Sequence, residues 1–146
     1  MRDLSGLVGR FLCRTGGAIT RRLNEIACEY GITPAEGRTL EFIAAYNGPV
    51  YQKDIEEEYG LRPASASELL QNMEKQGLIT RKTGPADRRR KIICITEARM
   101  QDAEEMVEKM AVMEARLIHG IETDRLIVFR EVLEQILCNA EDLHHC

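Results

Sequence analysis

The sequence lacks the features that mark secreted, membrane-spanning and disulfide-bonded proteins. Its five cysteines form an odd set without a C-x-x-C motif, and no long apolar stretch near the N-terminus resembles a signal peptide. No window approaches the roughly eighteen consecutive apolar residues that a membrane-spanning helix needs. We therefore expect a cytoplasmic protein with reduced thiols and no membrane association.

The sequence also lacks a catalytic signature. There is no nucleophile motif, no glycine-rich phosphate loop and no paired-carboxylate pattern, and His119 is the only histidine outside the C-terminal His-His-Cys. That terminal triplet, residues 144–146, lies at a chain end, and a metal site needs several converging ligands. We therefore predict that the protein is not an enzyme and has no metal site and no bound cofactor.

The net charge of −4 disfavours a nucleic-acid partner, but the charge is unevenly distributed. Residues 75–96 hold seven basic side chains and one acid, Asp87, whereas residues 97–146 hold twelve acids and five bases. The densest basic run is the DRRRK of residues 87–91. The overall sign of the charge therefore conceals one strongly basic segment.

Length and apolar spacing predict one domain that begins with two helices. The 146 residues suffice for a single core. Apolar side chains recur at helical spacing over residues 4–30. Thr33 and Glu36 have the spacing of a capping box around Pro34, so we expect a second helix to begin there and to end near Asn47.

The middle of the chain has the pattern of a helix-turn-helix followed by a hairpin. A short helix over about residues 52–59 is expected to end at Gly60, and the next to begin at Pro63 and end at Gly77. The inward face of that fourth helix is predicted to comprise Ala66, Leu69, Leu70 and Met73. The segments LITRK and RKIICIT flank the turn TGPAD and predict two strands, which would form a wing.

Two further helices are predicted in residues 97–146. Their apolar residues alternate steps of three and four, which is the spacing of a coiled-coil seam. Thr96 and Thr123 are candidate N-caps, and Gly120 separates the two helices. The predicted fold class is therefore mainly α with a small β-hairpin wing.

The order of these elements, together with ELLQNMEKQGLITRK and DRRRKIICIT, resembles the MarR (multiple antibiotic resistance regulator) family of bacterial transcription regulators. The resemblance covers essentially the whole chain, residues 1–146, as a single domain. It implies a winged helix-turn-helix DNA-binding lobe in about residues 33–96 and dimerisation helices in residues 1–30 and 97–146. It also implies a ligand-responsive homodimer, most simply a repressor, that binds double-stranded DNA at a pseudo-palindromic operator.

The resemblance also implies roles for individual residues at the DNA. The fourth helix would lie in the major groove and the wing would reach the adjacent minor groove or its phosphates. The DNA-binding residues would be Arg62, Ser65, Ser67, Glu68, Gln71, Arg88, Arg89 and Arg90. We expect Asp87 to orient one of the wing arginines through a charge-assisted hydrogen bond.

The same resemblance implies a dimer interface and an effector site. The dimerisation residues would include Leu4, Phe11, Leu126, Phe129, Leu133 and Ile136. A small amphipathic effector, with an anionic group, would bind near Phe11, Arg14, Gly37, Phe42 and Tyr46. Because glycine replaces a side chain that is often large at position 37, we expect extra space there.

Some residues depart from the family pattern and leave other functions open. Glu56 lies in an acidic EEE run where a small residue is usual, and Tyr51 stands where a capping Ser or Thr is common. These acids and Glu68 would suit a winged-helix adaptor that binds protein instead of DNA. A thiol- or metal-sensing regulator is the other alternative.

Overall fold

The computed structural model describes residues 7–142. In chain order the elements are α1 (Val8–Glu29), α2 (Pro34–Ala45), α3 (Gln52–Tyr59), α4 (Pro63–Lys75), β1 (Ile79–Thr83), β2 (Lys91–Ile95), a 3₁₀ turn (Glu97–Arg99), α5 (Met100–Leu117) and α6 (Thr123–Asp142). The chain forms two compact units, Met1–Met110 and Ala111–Cys146. Within residues 7–142, no helix is long and apolar enough to span a membrane.

The start of α2 has the predicted capping box. The Thr33 N–H donates to Glu36 Oε2 at 2.9 Å, and the Glu36 N–H donates to Thr33 Oγ1 at 3.3 Å. These bonds satisfy two backbone donors that have no partner within the helix. The helix ends at Ala45, slightly before the predicted stop, because Tyr46 already has an extended backbone with φ −73° and ψ 128°.

The predicted helix-turn-helix is confirmed in α3 and α4. Gly60 follows α3 with a φ of 59°, a left-handed conformation that costs glycine little, and α4 begins at Pro63. The end of α4 is Lys75, two residues before the predicted stop at Gly77, because Gly77 has a φ of 71° and lies beyond the helix.

The predicted wing is also confirmed. Strands β1 and β2 pair antiparallel, with Ile79 opposite Ile95 at one end. In addition, the Ile93 N–H donates to the Val50 carbonyl at 2.8 Å, which forms an isolated β-bridge. The wing is therefore bonded to the residue that lies just ahead of the α3 N-cap.

Neither predicted cap of the C-terminal helices forms as expected. The Thr96 side chain makes no capping bond; its hydroxyl donates to the Gly77 carbonyl at 2.7 Å, because the backbone after α4 offers an acceptor there. Thr123 is the first residue of α6, and the Leu126 N–H donates to the carbonyl of Glu122, which occupies the cap position.

The core of the first unit lies beneath the helix-turn-helix. Ala66, Leu70 and Met73 are fully buried and Leu69 packs against the same cluster, so the predicted inward face of α4 is confirmed. The other buried apolar side chains are Ile26, Ala27, Ile32, Leu40, Val50, Ile55, Leu78, Ile79, Ile93, Ile95, Ala103 and Met106. One apolar cluster thus includes residues of α1 and α5 and packs against α4 and the wing.

Gly37 allows α1 and α2 to pack closely, and it does not leave the space that we predicted. A Cβ atom on Gly37 would lie 3.2 Å from the Ala27 Cβ, 3.7 Å from the Ile32 Cδ1 and 3.8 Å from the Met106 Sδ. The expectation of extra space was wrong because side chains of neighbouring elements already pack against Gly37.

We predict that Gly37→Val destabilises the protein by about 1–3 kcal/mol, the usual cost of overpacking a core. The valine side chain would collide with Ala27, which is buried and has little room to move. Ala44→Val is the control, because Ala44 is an exposed position on the same helix. Chemical denaturation would measure both, and equal stability of the two variants would contradict this packing.

The Glu41 carboxyl on α2 is half-buried. Burial, and then repulsion from Glu58, raises the pKa of Glu41 above its ordinary value. Burial, and then repulsion from Glu41 and Glu58, likewise raises the pKa of Tyr59. Negative charge is therefore unfavourable where α2 faces the end of α3.

We predict that Glu41→Gln increases the free energy of unfolding at pH 7. A raised folded-state pKa means that the protonated carboxyl stabilises the fold, and this contribution is lost as pH rises from 4.5 through the folded-state pKa. The gain should therefore shrink as pH falls toward 4.5. Thermal unfolding between pH 4 and 8 measures it, with the exposed Glu104→Gln as control. A gain independent of pH would contradict the assignment.

Candidate nucleic-acid interface

The outer face of α4 presents a row of polar side chains. Arg62, Ser65, Glu68 and Gln71 are exposed, and Ser67 is partly buried. These five predicted DNA-binding residues lie on or just before one helix whose opposite face is buried. The helix is therefore held from behind and leaves its polar side chains available to a partner.

Two hydrogen-bonded contacts order the side chains around this face. Gln71 Nε2 donates to Ser67 Oγ at 3.3 Å, one helical turn away. At the end of α4, Glu74 and Arg81 form a salt bridge with an oxygen-to-nitrogen distance of 2.9 Å. The second contact links α4 to β1 and so fixes the wing relative to the recognition helix.

The three predicted arginines of the wing are exposed on the turn between β1 and β2. The turn is closed by two backbone bonds: the Gly84 N–H donates to the Arg90 carbonyl at 3.2 Å, and the Arg90 N–H donates to the Asp87 carbonyl at 3.1 Å. Arg88 and Arg89 lie between these bonded positions, at the tip.

Asp87 orders the wing, but through the backbone. Its Oδ1 accepts from the main-chain N–H of Arg89 at 2.9 Å. The prediction was a hydrogen bond to an arginine side chain, whereas the carboxylate accepts from the backbone of Arg89. Aspartate commonly accepts from the backbone two residues further on, because this bond stabilises a turn without a helix or strand. Asp87 thus shapes the backbone that carries Arg89.

Arg90 lies against an aromatic ring. Its guanidinium carbon is 4.4 Å from the centroid of the Tyr51 ring, within the distance of a cation–π contact. Tyr51 is the N-cap residue of α3, and its N–H donates to Asp54 Oδ2 at 2.7 Å. Asp54 therefore supplies the reciprocal half of a capping box by accepting from the N-cap N–H, and the Tyr51 side chain contacts the wing.

A groove of about 550 Å³ lies between the start of α3 and the wing. It is lined by Tyr51, Gln52, Lys53, Arg81, Arg89, Arg90, Lys91 and Ile93. We name it the basic groove, because five of these residues are cationic and none is acidic. Sequence reasoning missed Lys53, Arg81 and Lys91 as site residues; Arg81 and Lys91 lay in the basic segment, but no sequence signal pointed to Lys53.

The acidic EEE run does not line the basic groove. Glu56 accepts a hydrogen bond from Gln52 Nε2 at 3.0 Å, and Glu57 lies 3.6 Å from the Lys53 ammonium. Glu57 and Glu58 line a separate recess beside α2. These carboxylates therefore lie behind or beside the groove, although Glu56 and Glu57 contact two of its lining residues.

The predicted effector residues lie in different surroundings. Gly37 is buried against α1, whereas Phe11 and Arg14 are exposed on α1. Phe42 and Tyr46 do meet, with ring centroids 5.2 Å apart. They line a recess of about 250 Å³ together with Asp54, Glu57 and Glu58. These three carboxylates make that recess unfavourable for the anionic group that we expected.

The predicted dimerisation residues are exposed to different degrees. Phe11 and Phe129 are 64% and 55% exposed, and Leu126, Leu133 and Ile136 are partly buried. Leu4 lies outside the described residues. Sequence reasoning missed the more exposed apolar side chains of α6, which are Ile127, Val128, Val132 and Leu137. The alternating steps of three and four residues in the sequence indicated a single line of apolar side chains along α6. The exposed apolar surface of the helix is wider than that line.

The described part of the chain contains four cysteines. Cys13, Cys28, Cys94 and Cys138 are free. No group of three or more His, Cys, Asp and Glu residues within positions 7–142 is arranged to hold a metal ion. The terminal residues 144–146 lie outside the described part of the chain.

Known structures share this architecture. The chain is similar to the transcription regulator MarR from Oenococcus oeni PSU-1, with 22% identity, a TM-score of 0.83, and coverage of 89% of this chain and 98% of that one. It is similar to S. aureus MepR in a complex with DNA, with 20% identity, a TM-score of 0.83, and coverage of 96% and 99%. CouR from Rhodococcus jostii RHA1 bound to p-coumaroyl-CoA gives 25% identity, a TM-score of 0.79, and coverage of 93% and 95%.

Sequence comparison matches the middle of the chain to a known family. No curated protein sequence matches the chain. Residues 30–90 match the model of the MarR family, and this segment contains α2, the helix-turn-helix and the turn of the wing. The predicted resemblance to the MarR family is confirmed for this segment, and the chain has the winged helix-turn-helix fold of the MarR structures.

Proposed function

We propose that the protein is a sequence-specific DNA-binding regulator in which α4 enters the major groove. The observation that carries this proposal is the polar outer face of α4, held by a buried apolar face and flanked by a basic wing. Arginine and glutamine at such positions can bond to base edges, and the wing arginines can neutralise phosphates. S. aureus MepR, which shares this fold, has been solved in a complex with DNA, and this supports DNA binding.

We further propose that the protein acts as a homodimer. Apolar side chains are exposed on α1 at Val8 and Phe11 and along much of α6. Contiguous exposed apolar surface normally marks an interface. A two-fold dimer would place two α4 helices in successive major grooves about 34–36 Å apart, so the operator would be a pseudo-palindrome.

The dimer is proposed to be a repressor that a small molecule controls. An effector can shift the protein away from DNA only if it binds the non-binding conformation more tightly. CouR, which shares this fold, has been solved bound to p-coumaroyl-CoA, and this supports binding of a small molecule. In this chain an anionic effector group is better placed near Arg14 than beside Phe42 and Tyr46, where carboxylates line the recess.

We predict that wing and helix variants weaken DNA binding in different ways. Arg88→Ala should weaken binding to all duplexes alike and reduce the slope of log affinity against log salt by about 0.9 if one phosphate contact is lost. Gln71→Ala should cost about 1–3 kcal/mol mainly on the preferred operator, because a base contact is lost. Fluorescence anisotropy across salt concentrations measures both.

Arg116→Ala is the control for these variants, because Arg116 is an exposed arginine on α5. If the wild-type protein fails to bind any duplex even at low salt, the adaptor function becomes the better explanation. If Gln71→Ala weakens operator and random duplex equally, Gln71 reads no base.

We predict that Phe129→Glu converts the dimer to monomer or aggregate. A charge on an exposed apolar side chain of α6 would have to be buried without a partner when two copies associate. Met100→Glu is the control, since Met100 is a comparably exposed apolar residue at the start of α5. Sedimentation equilibrium measures the mass, and an intact dimer of Phe129→Glu would contradict this interface.

A further inference from the structure

The basic groove contains cations from both the wing and α3, and Arg88 at the wing tip is not one of them. Arg89, Arg90 and Lys91 reach it from the wing and Lys53 reaches it from α3. Arg81 also lines it but is already paired with Glu74. Lys53 and Glu57 form only an exposed pair at 3.6 Å, which contributes little and leaves the ammonium available. Arg88 is absent from the lining, so the three consecutive arginines do not share one surface.

The position of Arg90 within this groove is fixed by two contacts. The bridge between Val50 and Ile93 brings the end of the wing beside Tyr51, the residue that follows Val50. The Arg90 guanidinium then lies over the Tyr51 ring, at 4.4 Å from its centroid. An arginine held on a ring loses less side-chain freedom when it binds an anion than one that is free in solvent. Arg90 is therefore preorganised, whereas no such contact holds Arg88 among the described residues.

We propose that the basic groove is a binding site for one segment of DNA backbone, and that Tyr51 is the residue that positions Arg90 for a phosphate in it. This proposal rests on the proposed DNA-binding function and adds a site between α3 and the wing. Lys53 and Arg90 contact phosphate from opposite sides of the groove. The groove is open, polar and free of lining carboxylates, which suits a phosphodiester and carries no base information.

A double-mutant cycle on random-sequence duplex of about 26 base pairs tests the positioning role. Tyr51→Leu removes the ring and should lower affinity about twofold to fivefold, which corresponds to an exposed cation–π contact. Tyr51→Phe keeps the ring and should bind as tightly as the wild type. In an Arg90→Ala background, Tyr51→Leu should have no further effect. Thermal unfolding of each variant establishes that the fold is retained.

Two outcomes of this cycle would overturn the proposal. The first is an equal loss for Tyr51→Leu with and without Arg90, since Tyr51 would then act without Arg90. The second is a loss for Tyr51→Phe as large as that for Tyr51→Leu, since the ring would then be irrelevant.

The groove itself is tested by Lys53→Gln. Loss of one phosphate contact should reduce the slope of log affinity against log salt by about 0.9. Arg116→Gln is the control and should leave the slope unchanged. If Lys53→Gln leaves the slope unchanged, Lys53 contacts no phosphate and α3 contributes no cation to the proposed site.

The stack can also be measured without DNA, which separates this proposal from the proposed function. In NMR spectra of the free protein, the side-chain protons of Arg90 should be shifted upfield by the Tyr51 ring, and Tyr51→Leu should abolish the shift. Absence of the shift in the wild type overturns the positioning role. Failure of the wild type to bind any duplex overturns the proposed function and the phosphate site, whatever the spectra show.

Discussion

The interaction on which the rest of the structure depends is the burial of one face of α4. Ala66, Leu70 and Met73 are fully buried, and Leu70 and Met73 belong to the main apolar cluster. Burying each large side chain contributes about 1.5–3 kcal/mol, so the helix is held without the help of its outer face. Because packing alone fixes α4, its exposed residues are free to be polar and to serve recognition. The same cluster includes Val50, Ile93 and Ile95, so it also fixes the wing at the side of α4.

Local signals predicted most of the winged helix. The Thr33–Glu36 capping box, Pro63 and Gly60 each act within a few residues, and each helix boundary that they predicted lies where expected or within two residues. Their reliability has a physical cause: a missing backbone donor or a left-handed φ must be accommodated at that position whatever the tertiary structure. Thr96 shows the limit of such reasoning, since a carbonyl distant in sequence offered its hydroxyl a better partner than the helix did.

Contacts between distant residues could not be predicted from single positions. Gly37 suggested a gap because one sequence does not show that Ala27 occupies the space. Tyr51 departs from the usual Ser or Thr cap, but its N–H donates to Asp54 and its ring contacts Arg90, which is far along the chain. In each case the residue type was informative, but its role depends on a neighbour that only the folded chain supplies.

The wing illustrates how one acid can serve a basic surface. Asp87 lowers the positive potential of the tip, and at long range this weakens attraction to phosphate. Its carboxylate, however, is occupied by the Arg89 N–H, and that bond holds the turn that carries Arg88 and Arg89. A turn without this bond would have to lose more conformational freedom when it bound DNA. The acid therefore reduces charge by one unit while it limits the entropy that the neighbouring cations lose. Salt screens the long-range attraction that Asp87 weakens, but it does not change the entropy that the ordered turn saves on binding. At moderate salt and close contact, Asp87 therefore favours DNA binding.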